Sequence, residues 1–330
     1  MVVILHNKVD RESTQDELDV IAQVDSVSQA LVELGYKTMP VPLSLNLHEG
    51  FDHLKSLKPA FVFNLVESID GTGRFIYFAS ALLDQLQLPF SGAGTDALYI
   101  TTNKLLSKRW LHAHGIATPS WIPMDGSAGK MPDFDPPYIL KPVWEDASVG
   151  LDDNSVFFTG DAFRKRIENQ QDPEGDWFAE AYIPGREFNI SILAGERTPQ
   201  ILPVAEIDFV GYPSGKPRIV DYRAKWDADS FEYHHTVRRF DFSKGDEELL
   251  LKLRDISLRC WNLFDLHGYA RVDFRVDRNG KPWVLEINAN PCISPDSGFV
   301  AAAQHAGLDF KTVVRRIIND IPRFRHRLVH

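Results

Sequence analysis

Residues 269–291, YARVDFRVDRNGKPWVLEINANP, decide the reading of this chain. Two alternating polar and apolar runs flank Asn279-Gly280, which predicts a hairpin closed by a two-residue turn. In that register Arg271 lies opposite Asn288, and Asp273 opposite Glu286. Side chains alternate between faces, so these four project from one side. Val272, Phe274, Val276, Trp283, Leu285 and Ile287 fill the other. Opposed carboxylates repel across a ladder, and burying them unpaired is costly. A divalent cation between them removes both penalties. Two carboxylates and an amide form an all-oxygen set for a hard ion, magnesium or manganese. Partial cages of this kind have nucleotide phosphates completing the shell. The competing reading is an exposed sheet face with solvated charges, Arg271 neutralising Asp273.

Three stretches upstream supply groups that a nucleotide needs. Lys104 stands in the opening turn of a helix predicted over 101–115, where a cation opposes the helix dipole and so implies an anionic partner; a solvated surface lysine reads equally well. The apolar strand Ile139-Leu140 delivers Lys141 at its end, where open sheets place ligand-binding groups. The small loop Ala147-Ser148-Val149-Gly150 follows, suited to laying backbone N–H groups along phosphate oxygens. It lacks the Lys-Ser/Thr ending of a P-loop. Residues 178–187, FAEAYIPGRE, read as strand, hinge and strand. There Glu180 and the Ala181–Ile183 backbone are placed to meet an adenine edge, and Glu187 to accept from ribose hydroxyls. Each signal is weak alone; their order along the chain is specific.

The remaining sequence bounds the answer. A chain of 330 residues holds two or three domains. A net charge of −10 argues against a general nucleic-acid binder. Two cysteines, Cys260 and Cys292, are too few for a disulfide framework and favour a reducing compartment. The N-terminal MVVILHNK reads as a first strand, not a signal peptide. No run approaches a membrane span, so a cytoplasmic location is expected. The basic last twenty residues, Lys311 to His330, read as capping a terminal helix. Strands and helices alternate through the first hundred residues, predicting a parallel sheet with crossover helices. Residues 208–242 read as one long loop, of the kind that carries function.

With these residues in place, the chain resembles the ATP-grasp ligases, within them the D-alanine–D-alanine ligase-like branch. The likeness is strongest in RVDFRVDRNGKPWVLEINANP and its continuation SPDSGF. It runs through NKLLSKRWLHAHGIATP, ILKP, SVG, AEAYIPGREF and DYRAKW, covering residues 60 to 315. It implies an α/β fold with α+β lobes: an N-terminal domain over 1–100, a central lobe over 101–183 and a C-terminal lobe over 184–330.

The implied activity is amide-bond formation from an acid and an amine through an acyl phosphate. By resemblance, Lys104, Lys141 and Lys225 contact ATP phosphates. Glu180, Ala181, Tyr182, Ile183 and Glu187 hold the nucleoside, and Asp273, Glu286 and Asn288 hold the metal. Arg271, Lys225 and Ser148 act at the reacting centre, with Arg271 on the oxyanion. Ser297 lies near the acceptor carboxylate. The partners are small acid and amine substrates; a homodimer is implied by resemblance only. The loops 144–152 and 208–242 are the candidate lid.

Several positions depart from the dipeptide-forming members. Ala147-Ser148 replaces a Ser-Ser pair, Trp226 replaces a tyrosine, Cys292 replaces an oxyanion-hole glycine, and Gly298 replaces a leucine. The Gly-rich acidic motif for the first substrate is missing, with Glu17 and Glu67 as substitutes. Together these point to a differently shaped acceptor site. Synthesis of D-alanyl-D-alanine itself, a non-catalytic nucleotide-binding scaffold, and a metal-free hydrolase using Asp273 and Glu286 stand as alternatives. Cys292 reads as a packing residue, since no histidine is placed to activate it.

Overall fold

The computed structural model describes residues 1–10, 12–124, 131–168 and 176–322. Strand Val2–Asn7 runs parallel to Thr38–Leu43 on one side and to Val62–Asn64 on the other. Its apolar residues face both ways, as a doubly covered parallel sheet requires. Val3 and Leu5 pack with Leu54, Leu83 and Phe90. Val2 and Ile4 meet the helix Gln15–Glu33 through Val20, Val24, Val27 and Leu31. That spacing is one helical stripe, and each such burial stabilises by about 1.5–3 kcal/mol. Phe299, Val300, Val313 and Ile317, far along the sequence, complete the same core.

Two antiparallel sheets follow. The smaller orders Trp121–Met124, Trp177–Ala181, Tyr138–Pro142 and Val156–Phe157. The larger orders Thr236–Arg239, Ala205–Phe209, Gly185–Leu193, Tyr269–Asp277 and Pro282–Asn288, with Gln200–Ile201 paired to Gly185–Leu193. Its apolar face carries Phe188, Ile190, Ile192, Val272, Phe274, Val276, Val284 and Ile287. Against it pack Glu247–Leu263 and, through Ala97, Leu98 and Leu111, the helices Thr95–Thr102 and Lys104–Ala113. Among the described residues, no helix is long and apolar enough to cross a membrane.

The structure corrects four local expectations. The helix expected over 101–115 is two helices broken at Asn103, whose side chain caps the second by accepting from Leu106 N at 2.9 Å. The segment 208–242 contains the short helices Tyr222–Trp226 and Phe231–His235 and the strand Thr236–Arg239. The hairpin turn takes three residues: Asp277 pairs with Lys281, and Gly280 adopts φ +76°. A bulge at Leu285 then restores the predicted register, so Arg271 faces Asn288 and Asp273 faces Glu286. Between turn and bulge the faces exchange. Val284 enters the core while Trp283 and Leu285 leave it, and Leu285 lines the cavity described below. In the basic tail, Lys311, Arg315 and Arg316 belong to the helix Phe310–Asn319; residues 323–330 lie outside the described residues.

Candidate functional site

The polar face of the larger sheet is not open to solvent. It forms one wall of a cavity of about 690 Å³, roofed by the smaller sheet and two loops. The face continues across three strands, because Asn189 registers with Asp273, and Glu187 with Arg275. Arg271 grips Asp273 with Nε to Oδ1 and Nη2 to Oδ2, both at 2.8 Å. Asn189 Nδ2 donates to the same Oδ1 at 2.8 Å. Neutralisation of Asp273 by Arg271 is therefore present, but on a covered face. Burial pushes the Asp273 carboxyl up, with Arg271 opposing. Burial would raise Glu286 too, yet Lys104, Lys225, Arg271 and Lys141 together bring it down to about 2. A permanently ionised Glu286, beside Asp273 and the Asn288 amide oxygen, is an oxygen donor set that fits a hard divalent ion.

Lys104 is buried rather than solvated. Its ammonium donates to Glu145 O at 2.6 Å and Asp146 Oδ1 at 2.8 Å, and lies 3.7 Å from Glu286 Oε2. Burial disfavours this charge, but Asp146 and Glu286 outweigh it. Lys141 reaches Glu180 Oε2 at 2.5 Å. The other oxygen of Glu180 accepts from Lys108, which is also held by Thr118 at 2.8 Å. Glu180 is fully buried, and its two lysines hold it below the usual carboxylate range against desolvation. Its carboxylate therefore fixes Lys141 as well as lining the cavity. Lys225 also lines the cavity, its charge disfavoured by burial and by Arg271 and favoured by Glu286 and Asp273.

The hinge Ala181–Ile183 is organised by Arg275. That guanidinium donates to Glu187 Oε2 at 2.7 Å, Ile183 O at 3.0 Å and Tyr182 Oη at 3.2 Å. Glu187 keeps a cavity-facing position but shares one oxygen with Arg275.

The two lid loops hold each other. Ser148 Oγ donates to Val220 O at 2.7 Å, and Trp226 Nε1 donates to Ala147 O at 3.1 Å. Tyr222 N donates to Leu151 O at 3.3 Å, and Tyr222 Oη to Asp16 at 3.0 Å. Ser148 thus ties the loops together while lining the cavity. Ala147 and Ser148 both adopt left-handed backbone, φ +54° and +66°, a conformation that costs about 1–3 kcal/mol at a non-glycine residue.

At the far end of the cavity Glu17 accepts from Thr14 N at 3.0 Å and closes its own helix start. Glu67 accepts from Gln23 at 2.8 Å, and burial raises its carboxyl to about 8. Cys292 Sγ contacts Asp19 Oδ2 at 2.9 Å. Burial, Glu67 and Asp19 push its thiol well up, which disfavours a thiolate nucleophile. Ser297 caps the helix Gly298–His305, accepting from Val300 N at 3.2 Å.

Sequence reading missed Lys108, Asp146, Asn189 and Arg275. Lys108 carried a signal, lying one turn beyond Lys104 on the same helix face. Asn189 carried another, alternating with core positions of its strand. Asp146 and Arg275 find their partners only through the fold.

The sequence matches the family model "D-ala D-ala ligase C-terminus" over residues 115–319. The chain belongs to the D-alanine–D-alanine ligase family. A D-alanine–D-alanine ligase of Chromohalobacter salexigens is 30% identical over 82% of this chain and 80% of its own. One from Aquifex aeolicus is 30% identical over 89% and 92%. The crystal structure of the Bacillus anthracis D-alanine–D-alanine ligase complexed with ATP superposes with a TM-score of 0.73. At 21% identity, covering 97% of this chain and 96% of that one, it shares the ATP-grasp fold. This family member is an ATP-dependent ligase forming carbon–nitrogen bonds.

Proposed function

We propose that the ligase joins two amino-acid-like substrates inside this cavity. The γ-phosphoryl group of ATP passes to a carboxylate oxygen of the first substrate, and ADP is released. The amine nitrogen of the second attacks the acyl carbon, the acyl C–O bond breaks, and phosphate leaves as the nitrogen loses its proton. The observation that carries this reading is the convergence of Lys104, Lys141, Lys225 and Arg271 on the wall that holds Asp273, Glu286 and Asn288. Preorganised cations there stabilise charge that develops on phosphoryl and acyl oxygens.

Magnesium held by Asp273, Glu286 and Asn288 would supply charge neutralisation between phosphate groups. Lys104 and Lys141 orient the polyphosphate, Lys141 being steadied by Glu180. The Ala181–Ile183 backbone and Glu187 take the nucleoside. Arg271 faces the oxyanion of the tetrahedral intermediate. Ser148, Ala147 and Trp226 keep the lid shut, since water would hydrolyse an acyl phosphate. Glu17 and Glu67 lie at the donor end, Trp226 and Ser297 at the acceptor end. We place the enzyme in the cytoplasm, as a homodimer.

The test is phosphate release from ATP and magnesium across pairs of carboxylic acids and amines. ADP and phosphate should appear only when both are supplied; turnover indifferent to them would refute the proposal. D-alanyl-D-alanine synthesis is the second reading, favoured by the names of the relatives.

A further inference from the structure

The acceptor end of the cavity carries a cation that the reaction above does not use. Arg238 lies on the edge strand Thr236–Arg239, registered with Ile207, and its side chain lines the cavity. Its guanidinium rests on Gly298. A Cβ built there would meet Nη2 at 3.3 Å, Nε at 3.5 Å and Cζ at 3.6 Å. The glycine and the arginine are therefore one arrangement, because any side chain at 298 would push the guanidinium away. The next residue shows the contrast. Arg239 is locked to Glu206 at 2.5 Å and Asp208 at 3.0 Å. Arg238 makes no hydrogen bond or ion pair among the described residues. Asp296, the acid nearest in charge terms, is exposed and accepts from Ser294 Oγ at 2.9 Å.

Ser297 opens the helix Gly298–His305, and helix starts attract anions. Arg238 adds a second anion-binding group beside it, and Arg271 a like charge nearby. Arg238 is exposed at the cavity rim, and the Arg271 charge nearby adds to the positive field that draws an anion there.

We infer that the amine substrate is an acidic amino acid, carrying a side-chain carboxylate that Arg238 reads over Gly298 while its α-carboxylate lies at Ser297. This assignment rests on the ligase reading and narrows its substrate class. A monocarboxylate such as alanine would leave the guanidinium to solvent at the cavity rim and gain nothing from it. Sites built around a charged group discriminate strongly against analogues that lack it.

The experiment measures phosphate release by the full chain with ATP and magnesium. Aspartate and glutamate, in both chiralities, are compared with asparagine, glutamine and alanine as acceptors. The acidic amino acid should exceed its isosteric amide at least tenfold in kcat/KM. Arg238→Gln should collapse that ratio at least tenfold, mainly through KM, and Arg238→Glu should invert it. Gly298→Leu, which fills the place of the guanidinium, should collapse it too. Preference for alanine or the amides, or a ratio unchanged in Arg238→Gln, overturns the inference. Should no pair release phosphate, the ligase reading fails separately. Glutamate is then titrated into protein loaded with magnesium and a non-hydrolysable ATP analogue. Binding lost in Arg238→Gln supports the acidic pocket; no binding, or equal binding, overturns it.

Discussion

The indole Nε1 of Trp226 donates to the backbone carbonyl of Ala147 at 3.1 Å, joining the two loops above the cavity. Where the resemblance expects a serine and a tyrosine, this chain has Ala147 and Trp226, joined by a side chain-to-backbone bond. A backbone acceptor is indifferent to the residue at 147, which frees that position to be alanine.

Removing this bond should loosen the lid. A neutral hydrogen bond stabilises by about 1 kcal/mol, roughly a fivefold change in the closed-to-open ratio. Trp226→Phe keeps the ring and loses the donor. The ADP formed per molecule of ligated product should rise several-fold, measured by coupled ADP and product assays. An unchanged ratio would remove the lid role.

Glu286→Gln removes a donor with permanent charge from the metal set. Turnover should fall at least a hundredfold while the circular dichroism spectrum stays native, and EDTA should abolish wild-type turnover until magnesium is restored. Persisting activity in either experiment contradicts the metal assignment.

Glu180 is the counter-ion of two lysines at once. Glu180→Ala leaves buried ammonium charge uncompensated, a change that costs about 3–5 kcal/mol. The urea midpoint should drop accordingly. Adding Lys108→Met to Glu180→Gln should recover part of the loss, because fewer buried charges then lack a partner. No recovery would mean that Lys108 is not coupled to Glu180.

Glu67 makes stability depend on pH. Burial raises its carboxyl from 4.5 to about 8, against the Gln23 hydrogen bond. Across that interval the folded chain holds a proton that the unfolded chain has lost, so stability falls as pH rises from 4.5 towards 8. Glu67→Gln should flatten this slope, the variant gaining on the wild type as pH increases. Parallel unfolding curves over the interval would show that Glu67 is solvated.

The architecture was legible because its signals are periodic. Alternation along Gly185–Leu193 is visible in the sequence, and the fold follows it, with Phe188, Ile190 and Ile192 in the core and Glu187 and Asn189 lining the cavity. The hairpin was read through two compensating irregularities. Asn279-Gly280 suits a two-residue turn, but Asp277 closes a three-residue one by accepting from Asn279 N and Lys281 N. The bulge at Leu285 has no local signature, so strict alternation puts Trp283 and Leu285 on the core face and misses Val284. The break at Asn103 was hidden because Thr101, Thr102 and Asn103 are all competent caps. Partners distant in sequence, Arg275 with Ile183 or Lys108 with Glu180, needed the folded chain. Cores that mix residues 2–65 with residues 293–317 were equally beyond local pattern.

The extra residue at Leu285 gives the hairpin slack. Its distal end can change length or twist, with the surplus absorbed before the chain reaches Glu286. Drift at the tip therefore need not disturb the acid pair, and deleting Leu285 would leave Val284 opposite Phe274 and Glu286 opposite Asp273 in a regular ladder, with the tip then coupled rigidly to the site.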